Sequence, residues 1–186
     1  LKACASWEEI CRLCDEAVEY QTASVCVPPC YIKRIRETYP DLTICTVVGF
    51  PLGYSVTAAK VCEVREALAD GADEMVINLT DVKNGEYQKV EDEIRALKEA
   101  TGDRILKVII ETCYLTEEEK IAMCRAVTNA GADFIKTSTG FGTAGALLSD
   151  IGLFQANIGE NVKIKAAGGV RTLEDLKNYV EAAAAA

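Results

Sequence analysis

The sequence predicts an α/β fold wound as a (β/α)8 TIM barrel, and three observations predict it. Short apolar runs alternate with amphipathic helical stretches, and strands that are apolar on both faces imply a parallel sheet covered by helices. The junction Ala69-Asp-Gly-Ala-Asp-Glu-Met-Val76 recurs as Asn129-Ala-Gly-Ala-Asp-Phe-Ile-Lys136, and successive units built alike suit a closed barrel better than a doubly wound sheet. Lysines stand on three of the apolar runs, at Lys107, Lys136 and Lys165, where a charge is seldom buried unless something pairs with it or uses it.

In order, Trp7–Tyr20 carries Ile10, Leu13, Cys14, Ala17 and Val18 at helical spacing, with Ser6 and Glu9 placed as a capping box. Ser24–Val27 reads as a strand stopped by Pro28-Pro29, Tyr31–Tyr39 as a helix ended by Pro40, and Thr43–Val48 as a β-branched strand running into Gly49-Phe-Pro-Leu-Gly53. A helix opened by Ser55 or Thr57 runs to Ala69 with Gly71 as its stop. Met75–Ile77 is a strand, Lys83-Asn-Gly85 a turn, Tyr87–Ala100 a helix and Ile105–Ile110 a strand. Thr116 and Glu119 cap a helix ending at Gly131, Phe134-Ile135 lead into Lys136, Leu147–Asn157 is helical and Val162–Ala166 is a strand. The last helix starts at Thr172 with Asp175 at its third position.

These six strands do not close an eight-stranded barrel, and 186 residues fall short of the ~250 typical of one. The expectation is one barrel domain over residues 1–186, incomplete at both ends and lacking strand 1 and strand 8 with its helix. The alanines at 182–186 read as a stand-in for unassigned side chains rather than a native ending.

Bulk properties narrow the function. A formal charge of −9 argues against a nucleic-acid partner. There is no run of about 18 apolar residues to span a membrane and no secretory signal at the start. Nine cysteines without such a signal point to a reducing cytoplasmic setting. A zinc site from Cys11, Cys14, Cys26 and Cys30 is outweighed by their reading as small buried hydrophobes. With no histidine, Ser-His and Cys-His nucleophile pairs are excluded, leaving lysine, carboxylate, cysteine, tyrosine and backbone for chemistry.

In a barrel the working residues sit at the C-terminal ends of strands, which selects Cys26, Gly49-Phe50-Pro51, Asn78, Lys107 with Glu111, Lys136 with Thr137 and Thr139, and Lys165. A lone strand lysine is commonly an edge gatekeeper, but three on interior parallel strands are poorly explained that way. Ala166-Ala-Gly-Gly-Val-Arg-Thr172 places two glycines and Arg171 just before a capped helix, a composition suited to phosphate. A lysine attacks a carbonyl only as the free amine, so its ordinary pKa near 10.4 has to fall. A second ammonium about 5 Å away contributes about two pKa units at an effective dielectric near 20. Lys165 is the candidate neighbour for Lys136, and no metal is needed for imine chemistry.

The stretches Val25-Cys-Val27, Val47-Val-Gly-Phe-Pro-Leu-Gly53, Leu106-Lys-Val-Ile-Ile-Glu-Thr112, Phe134-Ile-Lys-Thr-Ser-Thr-Gly-Phe-Gly142 and Lys165-Ala-Ala-Gly-Gly-Val-Arg-Thr172 resemble deoxyribose-phosphate aldolase over nearly the whole chain. The resemblance implies a class I, metal- and cofactor-free lyase that interconverts 2-deoxy-D-ribose 5-phosphate with D-glyceraldehyde 3-phosphate and acetaldehyde. Lys136 would form the Schiff base and Lys165 would assist proton transfer. Gly168, Gly169 and Arg171 would fall in the phosphate loop, while Cys26, Lys107, Thr137, Thr139 and Gly140 would line the substrate site. Lys107 is expected to balance charge near the imine or to reach Glu111.

The family pattern carries two further residues between Glu74 and Met75, the second a proton-relay aspartate, and neither has a counterpart here; an omission from the sequence is favoured over a real deletion. The family's strand-1 aspartate and serine-containing strand-8 loop also lack counterparts. Alternatives are a non-catalytic phosphosugar-binding barrel and another imine-forming barrel lyase. Monomer and homodimer both stay open.

Overall fold

The computed structural model describes residues 1–71, 75, 76 and 79–184, with side chains described over 1–71 and 81–182. The elements run α1 (Trp7–Glu19), β1 (Val25–Cys26), α2 (Ile32–Thr38), β2 (Ile44–Cys45), α3 (Thr57–Asp70), β3 (Met75–Val76), α4 (Leu79–Lys83), α5 (Tyr87–Thr101), β4 (Lys107–Ile109), α6 (Glu117–Asn129), β5 (Phe134–Lys136), α7 (Leu148–Asn157), β6 (Lys163–Lys165) and α8 (Leu173–Ala184). Every strand pairing is parallel: β1 joins β2, and β3-β4-β5-β6 form a four-stranded sheet in sequence order.

The capping residues act as their spacing predicts. Ser6 Oγ accepts from Glu9 N at 3.2 Å while Ser6 N donates to Glu9 Oε2 at 2.8 Å. Thr116 with Glu119 and Thr172 with Asp175 repeat the arrangement at α6 and α8. Gly71 ends α3 at φ 115°, and Gly131, its counterpart in the repeat, has φ 75°. A side chain at such angles would be strained.

Several boundaries differ from expectation. The predicted strand Thr43–Val48 is regular only over Ile44–Cys45: Val25 and Val27 N-H take Thr43 and Cys45 carbonyls, after which the chain leaves the pair. The stretch before Asn84-Gly85 is the short helix α4 rather than part of a turn. Thr57 starts α3 without a side-chain cap, Val56 being the N-cap residue. Helix α6 ends at Asn129, two residues early, because Ala130 N and Gly131 N already close the final turn onto Ala126 and Thr128 carbonyls. The expected strand residues Ile77 and Asn78, and the junction after Glu74 where two family residues lack counterparts, lie outside the described residues.

The pleat sorts the sheet's two faces. Val108, Ile135 and Ile164 are register partners across β4, β5 and β6. They pack with Val90, Ile94 and Leu97 of α5, Met123 and Val127 of α6 and Phe154 of α7. A second core joins Ile10, Cys14 and Ala17 of α1 to Val25, Ile32, Ile35 and Ile44. Alternation then assigns Lys107, Ile109, Phe134, Lys136, Lys163 and Lys165 to the opposite face.

Candidate active site

Two layers stand on that opposite face. Register pairs Lys107 with Phe134 and Phe134 with Lys163 in the lower layer, and Ile109 with Lys136 and Lys136 with Lys165 in the upper one. The Lys107 and Lys163 ammonium groups lie 5.7 and 5.8 Å from the Phe134 ring centroid, within cation–π range. Lys136 and Lys165 are therefore neighbours on adjacent strands whose backbones run about 4.8 Å apart. Lys136 is 6% exposed and Lys165 half-buried.

Strand β5 is fixed at both ends. At its start Asp133 Oδ2 accepts from Leu106 N at 2.7 Å and from Lys98 Nζ at 2.8 Å. Beyond its end the pairing continues: Ile110 N donates to the Lys136 carbonyl at 3.0 Å and Thr112 N to the Thr137 carbonyl at 2.9 Å. On the other side Thr137 N donates to the Lys165 carbonyl at 3.2 Å. Thr137 Oγ1 donates to the Ala167 carbonyl and accepts from Ala167 N, each at 3.0 Å. The Lys136 backbone is thus held from both neighbouring strands.

The structure brings Lys136, Lys165, Thr137, Gly168 and Gly169 together at the β5–β6 ends. Thr139 and Gly140 lie on the loop above, Gly140 at φ 88°. Lys107 sits one layer lower than Lys136. Glu111, the carboxylate expected near Lys107, is instead engaged by the loop: its oxygens accept from Thr139 N at 3.2 Å and from the Thr139 hydroxyl. Cys26 is half-buried on β1, paired with Cys45 of β2 in the other sheet. Arg171 and Thr172 both direct backbone N-H groups to Asp175 Oδ2, at 3.0 and 2.9 Å. These bonds, Arg171 N first, hold the Asp175 carboxyl below its ordinary range. The two amides just before α8 are therefore already committed to a carboxylate, and the Arg171 side chain is exposed.

Sequence reasoning did not weigh three features of the site. Ser138 is fully buried, and its hydroxyl, like that of Thr112, has no hydrogen-bond partner among the described residues. Phe50 and Phe141 meet edge to face at 5.4 Å and 87°, joining the loop after β2 to the loop after β5. Glu63 Oε2 accepts from Gly49 N at 2.7 Å, steadying the turn that carries Phe50. Phe50, Phe141 and Ser138 lie in stretches already singled out, whereas nothing local in sequence marks Glu63.

A buried amine at the end of β5 thus stands in register with a second amine at the end of β6, on a parallel α/β frame. The chain belongs to the DeoC/LacD family of aldolases, whose family model matches residues 2–186; aldolases are carbon–carbon lyases. A relative from Clostridium botulinum (strain Alaska E43 / Type E3), a deoxyribose-phosphate aldolase, is 68% identical over 183 residues, covering 97% of this chain and 83% of that protein. Among solved structures, the aldolase QR15 superposes with a TM-score of 0.93 at 38% identity, covering 97% of this chain and 83% of that one. The Aeropyrum pernix deoxyribose phosphate aldolase, described as having a unique tetrameric structure, gives a TM-score of 0.85 at 26% identity, covering 97% and 79%.

Proposed function

We propose that this chain cleaves 2-deoxy-D-ribose 5-phosphate reversibly to D-glyceraldehyde 3-phosphate and acetaldehyde, with Lys136 as the imine-forming residue. The observation that carries the reading is the buried Lys136 amine set in register with Lys165. Membership of the aldolase family and 68% identity to a deoxyribose-phosphate aldolase support the substrate.

The Lys136 amine attacks the aldehyde carbon of the open-chain sugar, and the resulting carbinolamine loses water to leave a protonated imine. That cation accepts the electron pair of the C2–C3 bond as the C3 hydroxyl gives up its proton, releasing glyceraldehyde 3-phosphate and leaving an enamine on Lys136. Protonation of the enamine carbon and addition of water return acetaldehyde and the free amine. Lys165 serves the proton transfers from the next strand. Thr137, Thr139, Gly140, Gly168, Gly169 and Arg171 surround the sugar and its phosphate, Lys107 supplies positive charge from the layer below, and Cys26 forms a wall.

On this reading β1 to β6 are strands 2 to 7 of a (β/α)8 barrel, residues 1–186 forming one domain, with strand 1 and strand 8 plus its helix outside this sequence. Coverage of 83% of the botulinum relative fits that assignment. The reaction needs no metal or cofactor, the cysteine-rich composition suits the cytoplasm, and a homodimer is compatible with the fold. No helix among the described residues is long and apolar enough to cross a membrane.

The test is borohydride reduction in the presence of acetaldehyde, followed by peptide mass mapping. A reduced ethyl adduct on the peptide containing Lys136 is expected. An adduct confined to another lysine would overturn the assignment of roles, and absence of any adduct would overturn the imine mechanism.

A further inference from the structure

Glu111 stands where the β4 chain leaves the sheet. Its backbone lies in the left-handed region at φ 48° and ψ 65°, a conformation that is strained for a non-glycine residue and persists only where its surroundings enforce it. The turn carries Thr112–Tyr114 away from β5 as a 3₁₀ turn, so no backbone of this segment continues alongside residues 138–139. The Glu111 side chain takes over at that point. Its carboxylate, 3% exposed, accepts from Thr139 N through both oxygens and from the Thr139 hydroxyl. Ile110 N, Thr112 N and the Glu111 carboxylate thus make three successive rungs to Lys136, Thr137 and Thr139.

The contact is passed on. Thr139 Oγ1 accepts from Phe141 N at 3.0 Å, setting the turn that lays Phe141 against Phe50. Gly142 lies so close over the clamp that a Cβ there would stand 2.7 Å from Cys113 Sγ and 3.0 Å from Glu111 Oε1. Three residues on, Gly145 reaches the Gly168 carbonyl, and Ala146 N donates to the Ala167 and Gly168 carbonyls at 3.1 Å. One carboxylate therefore fixes the start of a loop whose far end rests on the glycine turn after β6.

We infer that Glu111 is a positioning residue for substrate affinity: by clamping Thr139 it holds the 139–146 loop against the Gly168-Gly169 turn, so that the phosphorylated end of the substrate meets a preformed pocket. This deepens the aldolase reading and rests on it. The Lys136 backbone keeps its other bonds to β4 and β6 when the clamp is lost, so binding of the phosphorylated sugar depends on Glu111 more than imine formation with acetaldehyde does.

The test compares the parent protein with Glu111→Ala, Glu111→Gln and Thr139→Val. Two quantities are measured for each: KM for 2-deoxy-D-ribose 5-phosphate, and the rate of borohydride trapping of acetaldehyde on Lys136. Loss of hydrogen bonds to a charged group predicts about a tenfold rise in KM for Glu111→Ala, with smaller rises for Glu111→Gln, which keeps one acceptor oxygen, and Thr139→Val, which keeps the Thr139 N-H. The rise in KM for Glu111→Ala should exceed its loss in trapping rate by at least about fivefold, the margin left when a bond to a charged group acts on binding alone. Equal losses in both quantities, or none in either, would overturn the inference, and Glu111→Gln reads the same split if Glu111→Ala does not fold. Failure of the parent protein to trap acetaldehyde would instead sink the aldolase reading.

Discussion

Gly145 and the Gly168 carbonyl are in such close approach that a methyl group on Gly145 would stand 2.3 Å from the oxygen and 3.0 Å from Gly169 N. Both neighbours are backbone, so neither can swing aside as a side-chain tip would. The loop after β5 and the turn after β6 are therefore in contact where the phosphate is proposed to bind.

Gly145→Ala should separate these two segments and raise KM for the phosphorylated sugar about tenfold, the effect of about 1.4 kcal/mol of lost binding. Gly152→Ala is the control. That glycine lies inside α7 with nothing within 4 Å of an added Cβ, so the substitution should stabilise the helix by about 0.5–1 kcal/mol and leave KM alone. Steady-state kinetics on both variants check the pair, and equal KM values would contradict the close approach.

Thr137 offers a second measurement. Its hydroxyl both donates to and accepts from Ala167 at 3.0 Å, and Thr137 is fully buried. Thr137→Val keeps the shape and leaves both Ala167 groups without that partner, which should cost about 1–3 kcal/mol. Thr137→Ser should recover most of it by restoring the hydroxyl. Urea unfolding midpoints for the three proteins decide, and a valine variant as stable as the parent would show that the latch contributes nothing.

Beneath the loop after β2, Lys60 of α3 is 0% exposed and its Nζ lies 2.7 Å from Glu93 Oε1 of α5. Glu93 Oε2 also accepts from Thr57 Oγ1 at 3.0 Å. The Lys60 stem packs under Gly49, its Cε 3.0 Å from where a Cβ would sit. Removing one partner of a buried pair leaves the other charge uncompensated, so Lys60→Met should destabilise by about 3–5 kcal/mol. Lys60→Met with Glu93→Leu should recover most of that loss. Denaturant unfolding of the single and double variants checks this, and a double variant less stable than Lys60→Met would show that the charges do more than neutralise each other.

What was legible in sequence follows from how local its cause is. Ser6, Thr116 and Thr172 each cap a helix through a residue three positions on, and Gly71 and Gly131 mark the same helix stop twice; each of these is written within a few residues. Lys136 and Lys165 stand at the C-terminal ends of their strands as read, whereas Lys107 opens β4 one layer lower; strand alternation alone assigns all three to one face. Their stacking into two layers needed the register between strands, which no single strand encodes. Glu111 was noticed only as a carboxylate near Lys107. Its bond to Thr139, 28 positions away, depends on a left-handed backbone turn that a glutamate gives no local reason to expect. The α8 start shows the converse: Thr172 and Asp175 correctly predicted a cap, yet that cap draws in the Arg171 amide that the phosphate reading had left open.

Alkaline pH supplies the last prediction. Burial, with smaller contributions from Cys11 and Asp15, pushes the Cys14 thiol from an ordinary 9.0 up to about 11. Burial pushes Cys124 from 9.0 up to about 12. In each case the unfolded chain loses the thiol proton at lower pH than the folded one, so above pH 9.0 the unfolded state binds fewer protons and stability falls as pH rises. The Cys14 contribution is complete below pH 9.0 and is lost up to about pH 11; the Cys124 loss continues to about pH 12. Tyr39 works in the same direction, because its hydroxyl donates to Asp15 Oδ1 at 2.8 Å and that bond holds its pKa above the ordinary value. Cys14→Ala and Cys124→Ala should each lower stability at neutral pH by opening a small cavity. Each should also flatten the fall in Tm above pH 9, the double variant most of all. Thermal melts followed by circular dichroism between neutral pH and pH 11 give the slopes, and identical slopes in parent and double variant would show that neither thiol is held protonated by the fold.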